Sequence, residues 1–396
     1  MDRETWTSRT RVEAALNHRE PDRVPFDLGA TVVTGMHEKA YRRLRRHLGL
    51  AEAAVEIEDP IQQLACIHDD VKDRLNVDVY GIKPGPPHGF APALWSENGY
   101  DKMRDEWGIE WWMPQEGGFY YDMRGHPLAD IGSVGELARV KSGLVRPFPD
   151  PLDPGRYEGF AQRADDLVNT RQVACILGAN VAGIFEMATW LRGCENYYRD
   201  LLANRPPAEA LLDAVCEIKM EYWARALELV GENVTMVHEG DDLAGQDRLL
   251  IAPELYRDFL KPRHTRLFEV IRKHAATDVK IFYHSCGAVA ALIPDLIESG
   301  IDILNPVQVN AADMDTRRLK RLYGKEITFY GGGVDPQRVL PRGTPAEVRA
   351  EVRRRIDDLA PGGGFIFATV HNIQADVPPE NIEAMWETLQ EFGVYH

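Results

Sequence analysis

The chain has 396 residues, 44% of them hydrophobic and 27% charged, the balance of an ordinary globular protein with room for one large barrel or two smaller domains. Lys and Arg number 46 against 62 Asp and Glu, and the resulting net charge of −16 disfavours an extended nucleic-acid surface while leaving room for a local basic pocket. The five cysteines are scattered and odd in number, which suits reduced thiols. Residues 1–6 lack the apolar core of a signal peptide, and no apolar run approaches membrane-spanning length, so a cytoplasmic protein with no membrane partner is expected.

Apolar residues at helical spacing occupy residues 7–17 and stop at Pro21-Asp22-Arg23. Residues 24–29 read as a first strand closing on Gly29, a helical pattern surrounds residues 41–48, and residues 78–82 form a second strand candidate. The texture then changes. Trp107-Gly108-Ile109-Glu110-Trp111-Trp112, a turn at residues 114–118 and Phe119-Tyr120-Tyr121-Asp122 predict an aromatic β-hairpin, an insertion of about residues 100–130 too short to bury a core of its own. Its rings suit the wall of a pocket for a flat substrate, a subunit interface, or a plain cover for the barrel edge.

From residue 173 the alternation is regular. Strands are expected at 173–178, 234–240, 279–283, 301–306, 327–330 and 365–370, with helices at 186–202, 207–230, 253–273, 288–298, 315–323, 344–359 and 379–392. Eight strands, each followed by helical sequence, predict a single (β/α)8 TIM barrel over residues 1–396 with the aromatic insertion after the second strand. A doubly wound sheet is the runner-up, but no Gly-x-Gly-x-x-Gly follows the first strand.

Barrel chemistry belongs at the carboxyl ends of the strands. Asp27 lies near the end of the first strand, and Glu239, Asp241 and Asp242 follow the fourth. His284 and Cys286 close the fifth, where two-residue spacing on an extended backbone turns an imidazole and a thiol to one side, a ligand pair that Zn²⁺ favours. Asn305 and Gln308 follow the sixth strand, and His371 and Asn372 the eighth. Each has a bland alternative: a buried His-Cys pair is often only core, His371-Asn372 suits a turn, and the acidic run suits a solvated loop. His238 and His264 read as structural.

These residues carry a resemblance. Arg23-Val24-Pro25, the helix entry Ile251-Ala252-Pro253-Glu254, His284-Ser285-Cys286-Gly287, Asn305-Pro306-Val307-Gln308, residues 331–335 and His371-Asn372-Ile373-Gln374 resemble the uroporphyrinogen decarboxylase superfamily over nearly the whole chain. The decarboxylase branch carries an arginine-rich motif after the first strand to hold substrate carboxylates, whereas this chain has Gly29-Ala30-Thr31-Val32-Val33-Thr34-Gly35 there, with no arginine. The other branch, the cobalamin-associated methyltransferases, holds zinc with a His-x-Cys pair and a later cysteine. His284 and Cys286 match the pair, and His371 stands at the later position.

The resemblance to that branch implies a zinc-dependent methyltransferase that moves a methyl group between a small substrate, a methyl ether or thiol, and a corrinoid carried by a partner protein. His284, Cys286, His371 and an oxygen from Glu239, Asp242 or Gln308 would be the metal ligands. Glu239, Asp241, Asp242 and His371 would manage the proton, and Asp27, Asn305, Gln308 and Asn372 would meet substrate. A homodimer is expected if the aromatic stretch covers a subunit interface. Two alternatives stand beside this reading: a metal-free decarboxylase or lyase, and an accessory protein that binds a corrinoid or tetrapyrrole without turnover.

Overall fold

The computed structural model describes residues 6–143 and 148–396; the amino-terminal residues read above for a leader fall mostly outside that range. Seven strands form one parallel, curled sheet in the spatial order Phe365–Ile366, Thr328–Tyr330, Ile303–Asn305, Lys280–His284, Met236–Gly240, Ala174–Gly178 and Val79–Ile82. The first predicted strand, at residues 24–29, lies between the two edges and makes a single bridge, Phe26 to Phe367. It is tied on one side by Asp27 N–H to the Phe367 carbonyl (2.9 Å) and on the other by Asp78 N–H to the Phe26 carbonyl (2.8 Å). Pro25 has no N–H to give a ladder, which keeps this segment from regular strand pairing. The architecture is TIM-barrel-like.

The strands are short and rich in β-branched and aromatic residues, as suits a sheet buried on both faces. Alternate residues divide between two cores. Val79, Ile176, Met236, Phe282, Ile303, Tyr330 and Ile366 pack together inside the curl, while Val237, Ile281, Tyr283, Leu304, Phe329 and Phe365 pack outward against the helices. Among the outer helices are Arg205–Val230, Lys261–His274, Pro345–Leu359 and Pro379–Phe392. The helix expected over 186–202 is two helices, Ile184–Arg192 and Cys194–Ala203, divided at Gly193, whose φ of 83° no helix accepts.

The insertion is larger than the hairpin expected. Ala93–Glu97, Tyr100–Arg104, Glu110–Pro114 and Asp122–Gly125 form a four-stranded antiparallel meander. The predicted strand at Phe119-Tyr120-Tyr121 is instead the irregular approach to the last of these. Trp111, packed edge to face on Trp190 with ring centroids 5.4 Å apart, joins the meander to the helix Ile184–Arg192. Among the described residues, no helix is long and apolar enough to cross a membrane.

Candidate metal centre and cavity

The strand Lys280–His284 lies parallel to Met236–Gly240, with Phe282 opposite His238, Tyr283 opposite Glu239 and His284 opposite Gly240. Paired residues share a face, so His284 and Gly240 point into the curl with Phe282, while Glu239 points out with Tyr283. Gly240 is required here: a Cβ on it would lie 2.8 Å from the His284 Cβ and 2.7 Å from the His284 carbonyl oxygen.

Inside the curl, one ligand atom from each of His284, Cys286 and His371 lies within 4.8 Å of the others. The state of His284 follows from its neighbours. Asn305 donates through Nδ2 to the Tyr330 carbonyl (3.0 Å), so its Oδ1, 2.6 Å from His284 Nδ1, can only accept. His284 therefore carries its proton on Nδ1 and presents the Nε2 lone pair to the Cys286 thiol at 3.3 Å. Burial, then the nearby charges of Asp242 and Glu186, push the Cys286 thiol well above its usual range. The His371 ring is pulled down to about 3 by burial and by His284, so it is neutral.

One thiol and two imidazoles within reach of one point are donors that a tetrahedral zinc site uses. His284 and Cys286 meet that test directly. His371 Nδ1 accepts the Asn372 amide hydrogen at 2.8 Å, so this ring offers a metal its lone pair only by exchanging that hydrogen bond or turning over. Asn305→Ala is expected to weaken zinc binding by roughly 10–100-fold through loss of ring orientation, measured by competition with a chelating dye. Because the thiol must release its proton, zinc affinity is expected to rise about tenfold per pH unit below the thiol pKa.

Of the acidic run, only Asp242 reaches this cluster: its Oδ1 accepts the Cys286 amide (2.8 Å) and lies 3.7 Å from His284 Nε2. Glu239 is not brought to the metal position, because its carboxylate is held by the Trp223 indole N–H and by Lys219 Nζ at 3.0 Å. Asp241 is likewise turned away. Its oxygens accept the amides of Phe185 and Glu186 (both 2.8 Å) at the start of the helix Ile184–Arg192, with His264 Nε2 at 3.2 Å. It anchors a helix N-terminus, where a carboxylate is favourable.

The expected substrate contacts are otherwise occupied. Asn305 orients His284, and Gln308 Oε1 accepts the Gly287 amide at 2.6 Å. Asn372 accepts the Gly35 amide (2.6 Å) and donates to the Val32 carbonyl and to Gln62 Oε1 (both 2.8 Å), so it clamps the loop after Asp27. Asp27 itself is buried, accepting the Ala30 amide (3.0 Å) and the Tyr330 hydroxyl (2.8 Å). Burial pushes its pKa up to about 6. A carboxyl with a raised folded-state value contributes most below its unfolded value, and that contribution is lost as pH rises through the folded one. Asp27→Asn is thus expected to gain up to about 3 kcal/mol relative to the native protein between pH 4 and 7, read by urea unfolding.

Above the cluster opens a cavity of about 600 Å³. Trp107, Ile109 and Trp111 of the meander line it, together with Trp190, Glu186 and His238. Glu186 and His238 were missed by the sequence reading. For His238 the signal was present, since it stands two residues from inward-facing Met236 and Gly240. Its pKa is held well below the usual value by burial and His284. Glu186, on a helix start, had no such signal; burial, then Asp242 and Asp241, raise its pKa well above normal.

A curled parallel sheet with a ligand cluster and cavity at its strand ends defines an enzyme-type barrel. A family model described as uroporphyrinogen decarboxylase (URO-D) matches residues 149–392, and the chain belongs to that family. It is 26% identical over 286 residues to the methylated-thiol–coenzyme M methyltransferase of Methanosarcina mazei, covering 67% of this chain and 71% of that protein. It is 28% identical over 373 residues to the uroporphyrinogen decarboxylase of Thermus thermophilus, covering 90% and 91%. A solved methyltransferase structure from Methanosarcina mazei superposes with a TM-score of 0.62 over 98% of this chain and 99% of that one at 18% identity, a likeness of fold. The relatives thus include both activities foreseen from the motifs.

Proposed function

We propose that the chain is a methyltransferase that exchanges a methyl group between a small substrate, a methyl ether or thiol, and a corrinoid protein. The observation that carries this reading is the convergence of His284, Cys286 and His371 within 4.8 Å beneath a cavity of substrate size. Zinc held by these three residues would supply Lewis acidity toward the substrate's sulfur or oxygen. The remaining work belongs to the chain. Asn305 keeps the His284 lone pair aimed at the cluster. Asp242 and Glu186 lie beside Cys286 and are the groups to hold or release the accompanying proton. The tryptophans of the meander exclude water from the cavity wall.

The decarboxylase reading draws on the Thermus relative, but among the described residues no arginine lines the cavity to clamp a polycarboxylate. The test is direct. Purified protein supplied with zinc and a small corrinoid protein is expected to change the corrinoid absorption spectrum when a methyl ether or methylated thiol is added. A folded sample that retains no stoichiometric zinc and leaves the spectrum unchanged with every donor class would defeat the proposal.

A further inference from the structure

The cavity has a charge pattern of its own. Seven of its lining residues are acidic and one, Lys83, is cationic. Three described cations in or behind this wall are already engaged. Lys83 Nζ lies 2.8 Å from Glu58. Arg156 closes its fork on both oxygens of Glu106, at 3.2 and 2.6 Å. Lys219 spends its three N–H groups on the Val181 carbonyl (3.1 Å), the Ala182 carbonyl (2.9 Å) and Glu239 (3.0 Å). Asp242 and Glu186, by contrast, have no lysine or arginine partner among the described residues.

Away from the His284–Cys286–His371 cluster, an anionic group entering here would give up its hydration beside Asp242 with no uncommitted lysine or arginine in the lining to receive it. The apolar part of the wall is flat and stiff: Trp107, Trp111 and Trp190, with Trp111 fixed by its indole N–H to Asp105 at 2.8 Å. Such faces suit a planar ring. Of the carboxyl groups in the lining, Glu58, Glu106 and Glu239 are taken up by Lys83, Arg156 and Lys219, whereas Asp242, with no lysine or arginine partner among the described residues, can accept an O–H or N–H of the guest.

We propose that the substrate of this site is an uncharged aromatic molecule that carries, besides the reacting methyl ether or thiol, a hydroxyl or amine hydrogen donated to a wall carboxylate. The nature of the reacting group rests on the methyl-transfer reading; the preference for an uncharged ring does not. The exclusion of anions sets this site apart from one built to hold a polycarboxylate.

The test is calorimetric binding to the full chain of three probes: 2-methoxyphenol, methoxybenzene, which lacks the hydroxyl, and 4-hydroxy-3-methoxybenzoate, which adds a carboxylate. The neutral phenol is expected to bind at least about tenfold more tightly than the benzoate and roughly threefold more tightly than methoxybenzene. Ile61→Arg, which places an uncommitted cation in the lining, is expected to recover about tenfold in benzoate binding and leave the phenol little changed. Equal or tighter binding of the benzoate to the native chain overturns the proposal, whether or not the variant folds. Methyl transfer from the benzoate but not from the phenol would overturn the selectivity and leave methyl transfer standing. The predicted binding order with no transfer from any donor would do the reverse.

Discussion

Cys286→Ala is expected to abolish stoichiometric zinc binding and to lower methyl transfer by at least about 10²-fold, since even outer-shell changes at such sites cost 10–100-fold. The thiol is the one anionic-capable soft donor in the cluster, and its sulfur already sits 3.3 Å from the His284 lone pair. Removing it leaves two imidazoles, of which His371 is partly committed to the Asn372 amide. His371→Ala should therefore weaken zinc binding less than Cys286→Ala. Metal analysis after dialysis, with circular dichroism to confirm folding, decides the matter. Unchanged zinc content in a folded Cys286→Ala protein would mean that the metal, if any, sits elsewhere.

Lys219→Met is expected to destabilise the fold by about 3–5 kcal/mol, because it strands a buried carboxylate. Lys219 and Glu239 are 1% and 2% exposed at their side chains, and the ammonium also holds the carbonyls of Val181 and Ala182. Those two residues line the cavity, so the same change should loosen its wall as well as weaken the packing of the helix Arg205–Val230 on the sheet. Lys219→Met/Glu239→Gln should recover part of the loss, since the stranded charge is then gone. Chemical denaturation of the two variants measures it. A native-like unfolding midpoint for Lys219→Met would show that the pair contributes nothing.

Much of the barrel was legible along the chain. Runs such as Ile281-Phe282-Tyr283 and Ile327-Thr328-Phe329-Tyr330 announce buried strands by composition, and Pro253 and Pro379 mark helix starts. The aromatic insertion was visible as a change of texture, but its extent was not. The outer strand Ala93–Glu97 is mostly exposed and Asp122–Gly125 is half exposed, so neither carries the buried-face alternation that marks a strand in sequence. The acidic run after Val237 was read too generously. Carried one step further, the two-residue period would have sent Glu239 outward with Val237 and His238 inward with Met236.

By itself the sequence determined the class of fold, the strand ends where chemistry gathers, and the His284–Cys286 pair, whose closeness follows from the geometry of one extended segment. Only the tertiary structure decided which other groups join that pair. Asn305 reaches His284 because it is its register partner on the neighbouring parallel strand, and His371 reaches it because the sheet curls; separations of 21 and 87 positions along the chain announce neither. Asp241, Glu239 and Asn372 carry the right atoms in nearly the right place, yet each is turned to a helix start, a lysine or a loop backbone. A buried polar atom takes whichever partner the packing brings to it, and that choice is made in space, beyond the reach of local pattern.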